Sequence, residues 1–364
     1  MRGNEVSRQA LELCGSVDDR LLAAQARLTA ASNRLLYDEW RDEDAEACAP
    51  AQETIRRLSG STIVHDVYYI YLRALQGARQ EAAQQADALI QATTNPITHV
   101  LAQGAKGVNC ILGGRFGEVL QLVRRGRELA EKNGEDPWMY IFGDAWLRVV
   151  CFDFDGVSRL STIVMRSDSE PHAAWIRTVS RISAGNAALH QGRPGEALEC
   201  FSPVRNPEIT PKFFLHWHWR LHAQLGITDA QLLSGNLAKA RREADLVLES
   251  AGSIAEPHMQ ALAWEIQARV TRAGNDRAAA RECIRTALGI VDRFEIPVAA
   301  WQVHQTAGDL SAEEGDRETA GSHRARAQQI VMGLADSFEP GELLRESYLN
   351  APPVRRIFGI AASA

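Results

Sequence analysis

The sequence predicts an all-α protein, a right-handed α-solenoid of about eight stacked helical hairpins. Three observations carry that prediction. Glycine turns recur at near-constant intervals, and apolar residues between them recur every three or four positions. Alternating Val, Ile and Thr runs, the mark of strands, are nearly absent.

The turns stand at Gln76-Gly77-Ala78, Gly113-Gly114-Arg115, Asp155-Gly156-Val157, Gln191-Gly192-Arg193, Ser234-Gly235-Asn236, Ala273-Gly274-Asn275 and Glu314-Gly315-Asp316. From Gly77 the steps are 37, 42, 36, 43, 39 and 41 residues, too even for chance. A small residue follows most turns, at Ala82, Ala197, Ala240, Ala279 and Ala320. Pro96, Pro137, Pro171, Pro211, Pro257 and Pro297 open the next runs, where a proline starts a helix without forfeiting a hydrogen bond. Helical spacing shows in Ala261, Trp264, Ile266, Ala268 and Val270 of one first helix, and in Leu246, Val247 and Ala251 of a second.

The whole chain, 1–364, therefore reads as one superhelical domain. Its atypical N-terminal hairpin spans 18–58 and uses Asp42-Glu43-Asp44 in place of a glycine turn. Regular repeats fill 61–338. A C-terminal cap and tail, 339–364, holds a short helix and then Ala351-Pro352-Pro353. End units of an array depart from the pattern because they must cover an apolar face.

Composition narrows the function. Hydrophobic residues make up 45% and charged residues 24%, the balance of a folded, non-membrane chain. The net charge of −6 disfavours a dedicated nucleic-acid binder. The six cysteines, Cys14, Cys48, Cys110, Cys151, Cys200 and Cys283, lie dozens of residues apart, which suits core thiols better than a disulfide scaffold or a metal site. No signal peptide and no membrane-length apolar run is visible, so the expected location is cytoplasmic.

Gly-Asn or Gly-Arg turns, a small residue soon after and proline at the unit boundary resemble tetratricopeptide repeats over nearly the whole chain. These units of about 36–43 residues exceed the standard 34. Their length is similar to the repeat arms of large bacterial ATP-dependent transcriptional regulators and of repeat-bearing adenylate cyclases. The stretch Leu344-Arg345-Glu346-Ser347-Tyr348-Leu349 before Pro-Pro resembles the tail of such arms. The resemblance implies a signalling or regulatory arm that binds a protein or peptide, with a small-molecule inducer as the alternative partner, and does no chemistry. No P-loop accompanies it, and no cofactor is expected.

Four features bear on a site. Val149-Val150-Cys151-Phe152-Asp153-Phe154-Asp155-Gly156 resembles the first motif of haloacid dehalogenase-type phosphatases, in which Asp153 would be the nucleophile and Asp155 the acid–base beside Mg²⁺. It falls on the turn ladder and follows a helical rather than a strand pattern, so the better reading is a turn whose aspartates cap the next helix. His218 and His222 stand at i, i+4 in an aromatic run and could share a metal, but no third ligand is placed. Counted back from the turns, Trp138, Trp146, Trp175, Trp217, Trp264 and Trp301 share one stripe and read as core staples. Trp219 and His216 fall on the opposite side. They are candidate partner-binding residues, with Arg220 and His304 as further candidates, although packing of Trp219 against a neighbouring repeat is the stronger expectation. Arg124, Arg125 and Arg127 could clamp phosphate or carboxylate. Interspersed Glu118, Glu128 and Glu131 favour a solvated mixed face instead. The expectation is a non-enzymatic binding arm with no metal, no membrane contact and no nucleic acid, acting through the concave face of its superhelix.

Overall fold

A computed structural model describes residues 9, 12, 19–37, 40–59, 63–134, 137–165, 170–206 and 212–360. Cys14, Pro211 and the far ends of the N- and C-terminal segments lie outside these. Among the described residues eighteen helices run from Arg20 to Ile357, and there is no strand.

Eight hairpins account for sixteen of them. They are α1 (Arg20–Tyr37) with α2 (Asp42–Ser59), α3 (Ile63–Leu75) with α4 (Arg79–Ala92), and α5 (Pro96–Leu112) with α6 (Phe116–Asn133). Next come α7 (Trp138–Val150) with α8 (Phe154–Val164), α9 (Glu170–His190) with α10 (Pro194–Arg205), and α11 (His216–Leu233) with α12 (Leu237–Gly252). The last two pairs are α13 (Pro257–Ala273) with α14 (Arg277–Arg293) and α15 (Pro297–Glu313) with α16 (Arg317–Asp336). Two short helices, α17 (Leu343–Asn350) and α18 (Pro352–Ile357), form the cap. First helices of successive hairpins touch, as α7 does α9 and α13 does α15, which is how each hairpin buries the face it cannot bury alone.

The seven turns share one geometry. A residue in the left-handed region closes the first helix, and the next amide bonds back five residues, as Arg193 N does to Ala188 O at 2.9 Å and Asp316 N to Ser311 O at 3.0 Å. Gly77, Gly114, Gly192, Gly235 and Gly315 fill the left-handed position, where glycine meets no Cβ penalty. Two turns differ from expectation. Gly274 keeps φ −79° and Asn275 turns the chain with φ 62°. Gly156 lies inside α8, and Phe152, with φ 61°, makes that turn. With these corrections the steps become 37, 38, 40, 43, 40 and 40 residues, more even than the glycines alone.

The corrected ladder also fixes the small-residue position. Five residues past each left-handed residue stand Ala82, Val119, Val157, Ala197, Ala240, Ala280 and Ala320, all buried. Ala280, not Ala279, is the buried one in its unit. Asp153, Asp276 and Asp316 cap the following helices by accepting from the amides of Gly156, Ala279 and Thr319 at 3.0 Å each. In the first hairpin Asp42, Glu43 and Asp44 form the first turn of α2 rather than a connection, and Asp44 pairs with Arg34 across the hairpin.

The chain divides into two compact units. Unit 1 comprises Met1–Asn109, Lys212–Trp217 and Ser253–Ala255; unit 2 comprises Cys110–Pro211, His218–Gly252 and Glu256–Ala364. In unit 1, Leu215 takes φ 57°, and its amide donates to Leu36 O at 2.6 Å. Trp217 donates from Nε1 to Leu35 O at 2.7 Å and packs edge-on to Trp40 at 5.6 Å. Unit 1 thus closes α1 with a segment distant in sequence.

Unit 2 has its own long-range closure. The residues ending α16 and entering the cap lie against α6. Phe116 N donates to Ser337 Oγ at 3.1 Å, and the Phe116 ring meets Phe338 at 5.7 Å and Tyr348 at 6.0 Å. Tyr348 also stacks on Phe152 at 6.1 Å, which packs with Phe154 and His190. Gly114 and Gly117 permit this approach. A Cβ on Gly117 would stand 2.0 Å from Ser337 O, and one on Gly114 2.3 Å from Leu334 Cδ2. Phe201 on α10 fits in the same manner, its ring lying where a Cβ on Gly185 or Gly226 would be.

No described helix is long and apolar enough to cross a membrane. Cys48, Cys110, Cys151 and Cys283 are buried thiols and Cys200 is a half-buried one.

Candidate functional site

Trp219 is fully buried, and the expectation of an exposed anchor is corrected. Its indole packs on Trp146 at 5.2 Å, and Trp146 meets His218 at 4.7 Å. The packed alternative holds. The stripe argument fails because α11 is covered on more than one side, whereas Trp138 and Trp264, on the supposed core stripe, remain partly exposed. His216 is buried too, beside Phe213 in unit 1. Arg220 is half-buried and, among the described residues, makes no hydrogen bond or ion pair. His304 on α15 faces His323 on α16 across 3.0 Å between their Nδ1 atoms. Burial, then the His323 and Arg326 charges, pulls the His304 pKa down to about 4.

The histidines at 218 and 222 are spent on internal bonds. His218 Nδ1 donates to Glu256 Oε2 at 3.1 Å, and its Nε2 faces His222 Nε2 at 3.2 Å. Burial first, and then His218 and His258, hold His222 well below the ordinary histidine range, so it stays neutral. This chain of bonds ties α11 to the start of α13 inside unit 2. No group of three or more His, Cys, Asp or Glu suited to a metal occurs among the described residues.

The phosphatase-like motif has the wrong setting. Val149 and Val150 end helix α7, and Asp153 is the N-cap of α8, engaged by Gly156 N and by Arg148. Asp155 sits in the first turn of α8 and caps nothing. The capping reading therefore holds for Asp153 alone. The strand end that would present a nucleophile is a helix-to-helix turn.

The arginines of α6 form the best-defined site. Leu120, Val123, Arg124, Arg127 and Glu128 of α6 and Asp144 and Arg148 of α7 line a cavity of about 270 Å³. Leu120 and Val123 are buried and make its apolar side. Asp144 is 3% exposed and anchors two guanidinia, accepting from Arg148 Nε at 2.7 Å and from Arg127 Nη1 at 3.4 Å. Burial opposes the charge on Arg148, but Asp144 and Asp153 outweigh it and raise its pKa. Arg124 holds Glu342 of the cap in a two-pronged bond, 2.6 Å and 2.9 Å, which raises the Arg124 pKa. Such a fork matches carboxylate geometry. The sequence pattern shows the three arginines but points to a solvated face, and it does not single out Asp144 or Arg148. Their signal is present nonetheless: a charged i, i+4 pair inside the otherwise apolar run Trp138–Val150.

No protein-family model matches this chain, and no curated protein matches it in sequence. Among solved structures it is similar to a Rap protein complexed with competence and sporulation factor. That match has 11% identity and a TM-score of 0.60, covering 92% of this chain and 95% of the other. It is also similar to the Cut9–Hcn1 hetero-tetramer of the APC/C, at 10% identity and a TM-score of 0.56, covering 96% of this chain and 58% of the other. The chain thus spans less than two thirds of the length of the latter. These likenesses show a fold: an all-α solenoid of tetratricopeptide type.

Proposed function

We propose that this chain is a non-enzymatic tetratricopeptide-type scaffold, a regulatory arm that binds a protein or peptide segment. The observation that carries the reading is the cavity on α6 and α7, where three arginines are held in place beside an apolar wall. Fixed guanidinia give orientation and the apolar wall gives contact area, the combination that binding pockets use. A scaffold needs no reacting groups, and the titratable clusters met along the chain are engaged in caps and core bonds. Arg220 and His304, both half-buried, are proposed as further contacts on α11 and α15. Trp219 and His216 would serve from inside, by fixing α11. The likeness to a Rap protein in complex with a factor supports the reading at the level of fold.

The test is selection of a random peptide library on the purified chain, with calorimetry on the enriched sequences. Saturable binding with a common sequence pattern is expected. A library that yields no saturable binder would refute the scaffold reading.

A further inference from the structure

Arg127 is the least committed charge in the cavity. A guanidinium carries five N–H donors. Among the described residues Arg127 spends one, on Asp144 across 3.4 Å. Its side chain is 39% exposed, so the remaining donors reach solvent at the cavity. Arg148, by contrast, is engaged by both Asp144 and Asp153. Among the described residues Arg124 makes its hydrogen bonds to Glu342, a carboxylate that belongs to the chain itself but lies 218 residues away.

Resting on the binding reading above, we propose that the cavity selects an acidic peptide. One Asp or Glu side chain of the partner docks on Arg127, and Glu342 is the chain's own carboxylate holding the neighbouring rim until that partner arrives. Glu342 shows which chemistry the rim accepts. Its carboxylate is 17% exposed while Arg124 is 55% exposed, so the acid is the inserted group and the arginine the receiving one. Its position is set by the cap: Gly341 turns the chain with φ 84°, Glu342 opens α17, and Phe338 and Tyr348 pin both sides of the turn to Phe116.

Asp144 gives Arg127 its orientation before any ligand binds, which lowers the ordering cost of association. Leu120 and Val123 offer the methylene groups of a glutamate an apolar wall. Glu128, also on the lining, limits how much negative charge the cavity tolerates. With Glu342 in place Arg124 is neutralised. With Glu342 displaced, the three arginines of the lining, Arg124, Arg127 and Arg148, face two carboxylates there, Asp144 and Glu128. The site then has charge to spare for an anion.

The experiment measures anisotropy of fluorescein-labelled hexaglutamate on the full chain, with hexaglutamine as the neutral probe and free glutamate as competitor. The wild type is expected to prefer hexaglutamate. Glu342→Gln should tighten that binding about tenfold, the size of one charge-assisted hydrogen bond. Glutamine keeps the size of Glu342 and a hydrogen-bonding oxygen for the exposed Arg124, so the fold should persist, and a circular dichroism melt checks this for every variant. Arg127→Gln should erase the preference, and Arg127→Lys should restore part of it, since an ammonium keeps the charge without the fork. Unchanged or weaker binding by Glu342→Gln overturns the proposal, as does undiminished binding by Arg127→Gln. Free glutamate displacing the peptide at equal concentration overturns it in favour of a small anion. A library-selected peptide that binds wild type and Arg127→Gln alike would leave the scaffold reading standing and remove this one.

Discussion

A methyl group added at Gly117 tests the closure of unit 2 directly. Alanine outscores glycine in a helix by up to about 1 kcal/mol, so propensity alone predicts that Gly117→Ala stabilises. The structure predicts the opposite. The new Cβ would stand 2.0 Å from Ser337 O, 3.0 Å from Ser337 C and 3.3 Å from Phe338 Cα. These are backbone atoms, and no rotamer change relieves them. If α16 and the cap stay seated, the crowding costs about 1–3 kcal/mol. If they lift, the Phe116–Ser337 hydrogen bond goes, at about 1 kcal/mol. The ring contacts of Phe116 with Phe338 and Tyr348 go with it, at about 0.5–1.5 kcal/mol each. After a propensity gain of up to about 1 kcal/mol, the first route leaves a net loss of up to about 2 kcal/mol and the second about 1–3 kcal/mol. Urea unfolding monitored by circular dichroism reads this, with Gly289→Ala as the control. Gly289 is exposed on α14 and a Cβ there meets nothing within 4 Å, so alanine should stabilise by about 0.5–1 kcal/mol. A Gly117→Ala chain at least as stable as wild type, beside a stabilised Gly289→Ala, would refute the closure.

Trp219→Ala should cost about 3–5 kcal/mol and lower the melting temperature strongly, since the indole is fully buried; a loss under about 1 kcal/mol would return Trp219 to the surface. Acid should weaken the fold before carboxylates matter. Burial, with the Arg356 charge behind it, pulls His190 down to about 4, and His304 falls to about 4 as well. The unfolded chain therefore takes up these protons first: stability is complete above the free histidine value near 6.5 and declines as pH falls from there towards 4. Replacing His190 with glutamine should flatten that decline in thermal melts, and an unchanged slope would discard the assignment. Asp153→Ala should cost about 0.5–2 kcal/mol through loss of the α8 cap. It should leave Mg²⁺-dependent hydrolysis of an aryl phosphate at the blank level in both proteins. Hydrolysis by wild type that the variant loses would reinstate the phosphatase.

The repeat period is legible because it rests on local chemistry: a left-handed residue ends each first helix, and a small residue five places on meets the neighbour. It blurs at two turns, where Asn275 and Phe152 do glycine's work. Asparagine tolerates that region, but a phenylalanine there is tolerable only because His190, Phe154 and Tyr348 hold its ring. No local rule supplies that. The same limit explains Trp219. A stripe drawn on one helix assumes one buried side, and α11 has more than one. The cavity is half legible, in Arg124 and Arg127, two of the three clustered arginines. Its other half, Asp144 with Arg148, and above all Glu342, arrives from elsewhere in the chain and leaves no periodic trace.

The bond between Phe116 and Ser337 spans 221 residues, and it changes how unit 2 comes apart. In a linear stack of repeats each hairpin answers only to its neighbours, so melting begins at a free end and proceeds inward. Here the end is fastened to an early hairpin. The terminal repeats have no independent edge from which to fray, and forming that clasp requires the whole intervening array to be in place. Unit 2 therefore gains cooperativity and folds more slowly, as long-range closure demands. Cutting the chain before Leu334 should turn one sharp transition into a gradual, end-first one.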